Sequence, residues 1–134
     1  MRKTIPLFAL LLFAYSCSHK LSPDHNWGDR KWVLFEIKGN PVQLSGTDKD
    51  AHLVFFAADK RYGGSGGCNR INGVYEINNK NKLSFGETAS TRMLCSDQAF
   101  ENSFIAALGT VNSYEITNGI MTLKNGKEVV MRLR

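Results

Sequence analysis

The chain has 134 residues, a length that suits one domain. Its 43% hydrophobic and 22% charged residues are an ordinary globular mixture and exclude a disordered polymer. The net charge of +5 falls to +3 if Arg2 and Lys3 leave with a leader, and the remaining bases are scattered beside turn residues. That surplus is too thin for a phosphate-binding stripe, so nucleic acid is not an expected partner.

The chain opens with Arg2-Lys3 and then an apolar run over residues 5–15. The run is too short for the ~20 helical residues that cross a bilayer core. It fits the hydrophobic region of an export signal over residues 1–16. The segment ends Ala14-Tyr15-Ser16-Cys17, which resembles the lipobox of bacterial lipoproteins, with small Ser16 before the cysteine. That resemblance implies a diacylglyceryl group on Cys17 and commonly an amide-linked acyl chain. One acyl chain holds only reversibly, whereas two give stable anchorage. Ser18 rather than Asp follows Cys17, which favours the outer membrane, facing the periplasm. Residues 17–29 are polar, with Pro23 and Gly28, and read as a tether in which Trp27, preceding the domain, is expected to be more of a surface contact than Trp32.

Removing Cys17 from the three cysteines leaves Cys68 and Cys95. An even pair in an oxidising envelope suits a disulfide, with two buried free thiols as the alternative. No C-x-x-C redox motif is present, and His19, His25 and His52 are not at metal spacing from a cysteine, so neither metal nor cofactor is expected.

From Lys31 onward strand patterns dominate. Residues 31–37 (KWVLFEI) are apolar at nearly every position, as in a strand covered on both faces or partly so. Asn40-Pro41 marks a turn, residues 51–56 (AHLVFF) form the next run, and residues 57–60 connect it to Arg61-Tyr62. Residues 73–77 and 82–85 alternate, with Tyr75, Ile77, Leu83 and Phe85 inward. At the end, Asn118-Gly119 and Asn125-Gly126 separate three alternating segments, the last with Val129, Met131 and Leu133 on one face. One helix interrupts this pattern over residues 97–108. Phe100, Phe104 and Leu108 recur at four-residue spacing beside Ala107, Ser96 is a candidate N-cap, and Gly109 can end the helix. Such a stripe is a core face that plugs an open end or covers an edge of the sheet.

Gly63-Gly64-Ser65-Gly66-Gly67 lacks the Lys-Ser or Lys-Thr and the following helix that a phosphate loop needs. Glycines within a strand instead mark a bulge, a bend or a close backbone approach.

The same stretch opens a longer pattern: Gly66-Gly67-Cys68-Asn69-Arg70, then Gly73 and Tyr75, then Thr91, Met93 and Cys95, then a helix with Glu101 and Phe104. With Trp32-Val33-Leu34 at the start and residues 114–123 near the end, it resembles the META/HslJ family of small envelope domains, over about residues 30–134. The resemblance implies an α+β fold: mostly antiparallel β, a cracked-barrel-like sheet packed against one α-helix. It also implies a link with heat shock and other envelope stress, and it brings no catalytic residue.

Asn69 and Arg70 are the polar residues most suited to a special role. The structural reading has Asn69 bonding the bent glycine segment and Arg70 pairing with an acid or capping carbonyls; the functional reading has Arg70 holding an anionic partner. Three functions follow in order. The first is a non-catalytic, membrane-tethered interaction or chaperone-like module, its partner an envelope protein. The second is a carrier of a hydrophobic ligand, in a cavity lined by residues such as Phe55, Phe85, Phe104 and Met131. The third is an enzyme, for which no G-x-S-x-G motif or spaced carboxylate pair is present. Replacing Cys17 with Ser is expected to release the protein from membrane pellets; a variant that still pellets as a precursor-sized band contradicts the lipobox.

Overall fold

A computed structural model describes residues 28–134. The export signal, Cys17 and the tether through Trp27 lie outside the described residues. The elements are β1 (Lys31–Ile37), β2 (Asn40–Pro41), β3 (His52–Phe56), β4 (Arg61–Ser65), β5 (Arg70–Ile77), β6 (Leu83–Phe85), β7 (Ala89–Ser90), α1 (Gln98–Leu108), β8 (Ser113–Thr117), β9 (Ile120–Asn125) and β10 (Glu128–Leu133). The strands form one sheet in the order β6-β5-β4-β3-β1-β10-β9-β8, with β2 beside β1 and β7 beside β5. The expected α+β architecture is the one observed. The sheet is open: β6 and β8, at its two ends, are not laddered to each other. They approach through two backbone bonds, Leu83 N–H to the Asn112 carbonyl (3.3 Å) and Tyr114 N–H to the Asn81 carbonyl (3.0 Å).

β1 is apolar throughout because it joins the two halves, pairing with β3 on one side and β10 on the other. Trp32 and Leu34 are buried, while Val33 and Phe35 are half-buried on the outer face, where the Arg134 guanidinium lies 5.5 Å from the Phe35 ring. Burial on the second face is thus partial. The turn expected at Asn40-Pro41 lies one step earlier. Lys38 and Gly39 both have positive φ (48° and 77°), as a two-residue hairpin of the primed type requires, and Asn40–Pro41 already pair with β1. Asn118 and Gly119 (φ 51° and 76°) make the same kind of turn between β8 and β9, as the dipeptide suggests.

In β10 the expected alternation breaks. A bulge between Val129 and Met131 sends both Val130 and Met131 into the core and leaves Val129 half-buried. The helix begins after Asp97, not Ser96: the Asp97 carboxylate accepts from Phe100 N–H (3.3 Å) and puts negative charge at the positive helix end. Gly109 ends it with right-handed φ of −64°.

Two glycines of the run are needed for close approach. Gly64 stands between Leu53 and Ile71 in the ladder, and a Cβ there would strike the His52 carbonyl. A Cβ on Gly66 would lie 2.7 Å from Glu101 Cγ, so this glycine lets α1 rest on the sheet.

Antiparallel alternation gathers residues 28–30, loops 57–60 and 78–82, the Asn118-Gly119 turn and Arg134 at one end of the sheet. Asp29 N–H donates to the Phe55 carbonyl (2.9 Å) there, and Arg30 Nη2 to the Gly119 carbonyl (3.4 Å). The Lys38-Gly39 turn, loop 66–69 and α1 occupy the other end, with Phe100 against Gly67. The core between them is continuous. Phe55, Phe85 and Tyr62 pack ring to ring with centroids 5.1–6.0 Å apart, and Phe104, Ala107 and Leu108 of α1 close it. Phe104→Ala is expected to cost about 3–5 kcal/mol in urea unfolding; a loss well under that range would mean α1 does not seal the core.

A candidate site where Asn69 meets Glu101

Glu101 lies in the first turn of α1, on the same stripe as Phe104, and is only 1% exposed. A carboxylate on an apolar face must find donors. Oε2 accepts from the Asn69 backbone N–H (2.7 Å). Oε1 accepts from Asn69 Nδ2 (2.9 Å), Ser90 Oγ (3.2 Å) and Gln98 Nε2 (3.3 Å). All these donors are neutral, and among the described residues no cation pairs with Glu101. Burial pulls its pKa upward, but the bonds from Asn69, Ser90 and Gln98 together outweigh burial and hold it below the ordinary 4.5.

Asn69 is equally committed. Its Oδ1 accepts from Met93 N–H (2.8 Å) and the Thr91 hydroxyl (3.0 Å). Its Nδ2 also reaches the Met93 carbonyl and Cys95 Sγ, both at 3.4 Å, and its own carbonyl accepts from Gly66 N–H (2.8 Å). Asn69 thus ties the glycine loop to the segment 91–95. The disulfide between Cys68 and Cys95 fastens the same two segments, with Cα atoms 6.2 Å apart and a separation of 27 residues. The chain-entropy model assigns such a loop ~3.5 kcal/mol.

The expected residues therefore divide. Gly66, Gly67, Cys68, Asn69, Thr91, Met93 and Cys95 converge on this one cluster. Arg70 adjoins it through its backbone, with its N–H donating to Thr91 Oγ1 (3.2 Å) and its carbonyl accepting from Thr91 N–H (3.0 Å). Its exposed side chain has no ion-pair partner among the described residues, so it neither pairs with an acid nor caps a carbonyl there. Gly73 and Tyr75 serve the core instead. The Tyr62 ring covers Gly73, 2.7 Å from where a Cβ would sit, and Tyr75 meets Phe55 edge-on at 5.2 Å. Ser90 and Gln98 are not foreseeable from the sequence pattern. The one available signal was a glutamate three residues before Phe104, on a helix face otherwise apolar.

At the edge of this cluster Met93, bonded to Asn69 through its backbone, and Leu94 stand exposed at 57% and 104%. They flank a groove of about 600 Å³ between segment 87–94 and α1, lined by Thr88, Ser90, Arg92, Gln98, Asn102 and Ile105 among others. Among the described residues, no group of three His, Cys, Asp or Glu side chains could hold a metal, and no helix is long and apolar enough to cross a membrane.

An open antiparallel sheet, one helix sealing its core, and a Gly-Cys-Asn loop stapled to a Met-x-Cys loop define a class of small α+β domains. The META domain family model matches residues 25–134, and the chain belongs to that family. Three solved structures share the fold. One is an NMR structure: 23% identity, 78% of this chain and 88% of that one, TM-score 0.59. A second, also by NMR, is from Burkholderia xenovorans: 24% identity, 80% and 81% covered, TM-score 0.58. The third is a crystal structure of a DUF4847 family protein from Bacteroides vulgatus: 17% identity, 81% and 93% covered, TM-score 0.58. No curated protein is similar enough to this chain to count as a relative.

Because the folded pKa of Glu101 is lowered, its ionised form contributes stability that is full above the unfolded value of 4.5 and lost as pH falls through the folded value. Glu101→Gln turns an amide NH₂ toward the Asn69 donors and is expected to cost about 3 kcal/mol near neutrality. Urea titrations across the acid range should also show that the variant lacks the wild type's carboxylate-linked loss. Equal stability and equal acid dependence in both proteins would remove Glu101 from this role.

Proposed function

We propose that the protein is a non-catalytic, lipid-anchored envelope domain of the outer membrane, facing the periplasm, that binds another envelope protein through its Met93-Leu94 loop during stress. The observation that carries this reading is a fully exposed leucine on a rigid support. The Cys68–Cys95 bridge and the Asn69 bonds to Met93 hold the loop beside the groove. Presenting apolar side chains on a pre-ordered loop lowers the ordering cost of binding. The two oxygens of Glu101 are already taken by four hydrogen bonds from Asn69, Ser90 and Gln98, which suits a structural hub better than a general base. The disulfide fits an oxidising envelope.

The carrier alternative draws no support from the interior. Phe55, Phe85, Phe104 and Met131 all belong to the packed core, and the grooves at the surface are lined by other residues.

A photo-reactive side chain in place of Leu94, in stressed cells, is expected to yield a discrete protein adduct that the same group in place of Lys127 does not. Adding Met93→Ser should diminish it. Absence of any adduct specific to position 94 would remove the loop as the binding surface.

A further inference from the structure

The end of the sheet where the chain enters at Gly28 has a composition of its own. Loops 57–60 and 78–82 and the strand ends beside them bring Arg30, Lys60, Arg61, Lys80, Lys82 and Arg134 to this end, against Asp29, Asp59 and Glu76. Gly28, Ala57, Lys60, Asn78 and Asn79 line one cavity, which fixes these loops as neighbours. Elsewhere Lys31, Lys124 and Arg132 are paired with Asp48, Glu115 and Glu36. Among the described residues, none of the six cations at this end is in an ion pair. Arg30 and Arg134 lie over the Trp32 and Phe35 rings, and Lys60 over the Tyr75 ring at 5.9 Å.

Exposed apolar side chains stand among these cations. Phe56, Arg61 and Val74 form one cross-strand row on the outer face. Ile120 follows the Asn118-Gly119 turn. Phe56, Val74 and Ile120 are all exposed, and the other two exposed large apolar residues, Met93 and Leu94, belong to the opposite end. Cations that have no carboxylate partner among the described residues, interleaved with apolar side chains, match an anionic bilayer surface, where phosphates take the charge and the acyl boundary takes the apolar groups.

We propose that this end of the domain docks on an anionic lipid surface, turning the Met93-Leu94 loop and its groove away from the bilayer. The orientation rests on the anchor at Cys17 proposed above, whereas the docking chemistry does not. The segment from Cys17 to Gly28 spans at most ~40 Å when fully stretched, so a lipid on Cys17 would keep this end close to the membrane.

The test uses residues 18–134, which lack leader and lipid cysteine yet contain the whole described core. It measures sedimentation with vesicles of phosphatidylethanolamine and phosphatidylglycerol, against phosphatidylcholine alone. Binding is expected to the anionic vesicles and to weaken with salt. The triple variant Lys60→Glu, Lys80→Glu, Lys82→Glu should lower it by about tenfold or more, and the corresponding Gln variant by an intermediate amount. The pair Lys38→Glu, Lys49→Glu, at the other end with Gly67 and Phe100, should change it less than about twofold. Equal binding to both vesicle types, no binding to either, or equal losses in the two sets of variants overturns the docking face. Because this chain carries no anchor, those results leave the Cys17 pellet assay to judge the anchor by itself.

Discussion

A single buried carboxylate organises the end of the domain that carries the family's motif. Glu101 is removed from water and, among the described residues, neutralised by no cation, so its charge is carried by donors from three separate segments: Asn69, Ser90 and Gln98. Each supplies a charge-assisted hydrogen bond, the kind that contributes most and costs most when left unmade. Meeting the demand requires Gly66 to yield space for the side chain and Asn69 to turn its amide NH₂ inward. It also places the N-terminal turn of α1 against the sheet, where the helix dipole favours the same negative charge. The disulfide is a covalent repetition of what Asn69 does non-covalently, since both join the glycine loop to segment 91–95.

The remainder of the fold answers to β1. It pairs with β3 from the first meander and β10 from the last, so the sheet is continuous only because the final strand returns to the first. Its two faces explain its sequence: one is core, and the other is partly screened where the Arg134 side chain lies over the Phe35 ring. Glycines at 64, 66 and 73 then allow backbone, helix and Tyr62 to approach more closely than any side chain would permit.

The two ends differ in kind. One is stapled, hydrogen-bonded throughout, and presents apolar side chains from a fixed loop. The other is made of ordinary turns whose cations have no ion-pair partner among the described residues. A domain tethered through residues before Gly28 would present the first end outward, so the proposed binding loop and the proposed membrane-facing base are compatible with one another.

Local pattern carried the strands a long way. Residues 31–37 coincide with β1, and Asn118-Gly119 forms the turn its dipeptide favours, because strand alternation and primed turns depend on neighbours a few residues apart. The shortfalls have equally physical causes. Lys38-Gly39 took the turn from Asn40-Pro41 because two consecutive residues with positive φ match the strand twist. Asp97 displaced Ser96 as the N-cap, where one residue decides which oxygen faces Phe100 N–H. A bulge in β10 brought Val130 inside, and nothing in its own segment announces a bulge. The residues of the candidate site were legible as a pattern, and their pairing was not. Asn69 and Glu101 are 32 residues apart, and the need that joins them, a buried charge without a cation, exists only after α1 has packed. The sequence by itself determined the strand alternation, the helix with its apolar stripe and a cysteine pair fit to bridge. Only the tertiary structure decided which polar groups must satisfy one another and which loops share an end, because hydrogen-bond demand and surface charge are properties of burial and register.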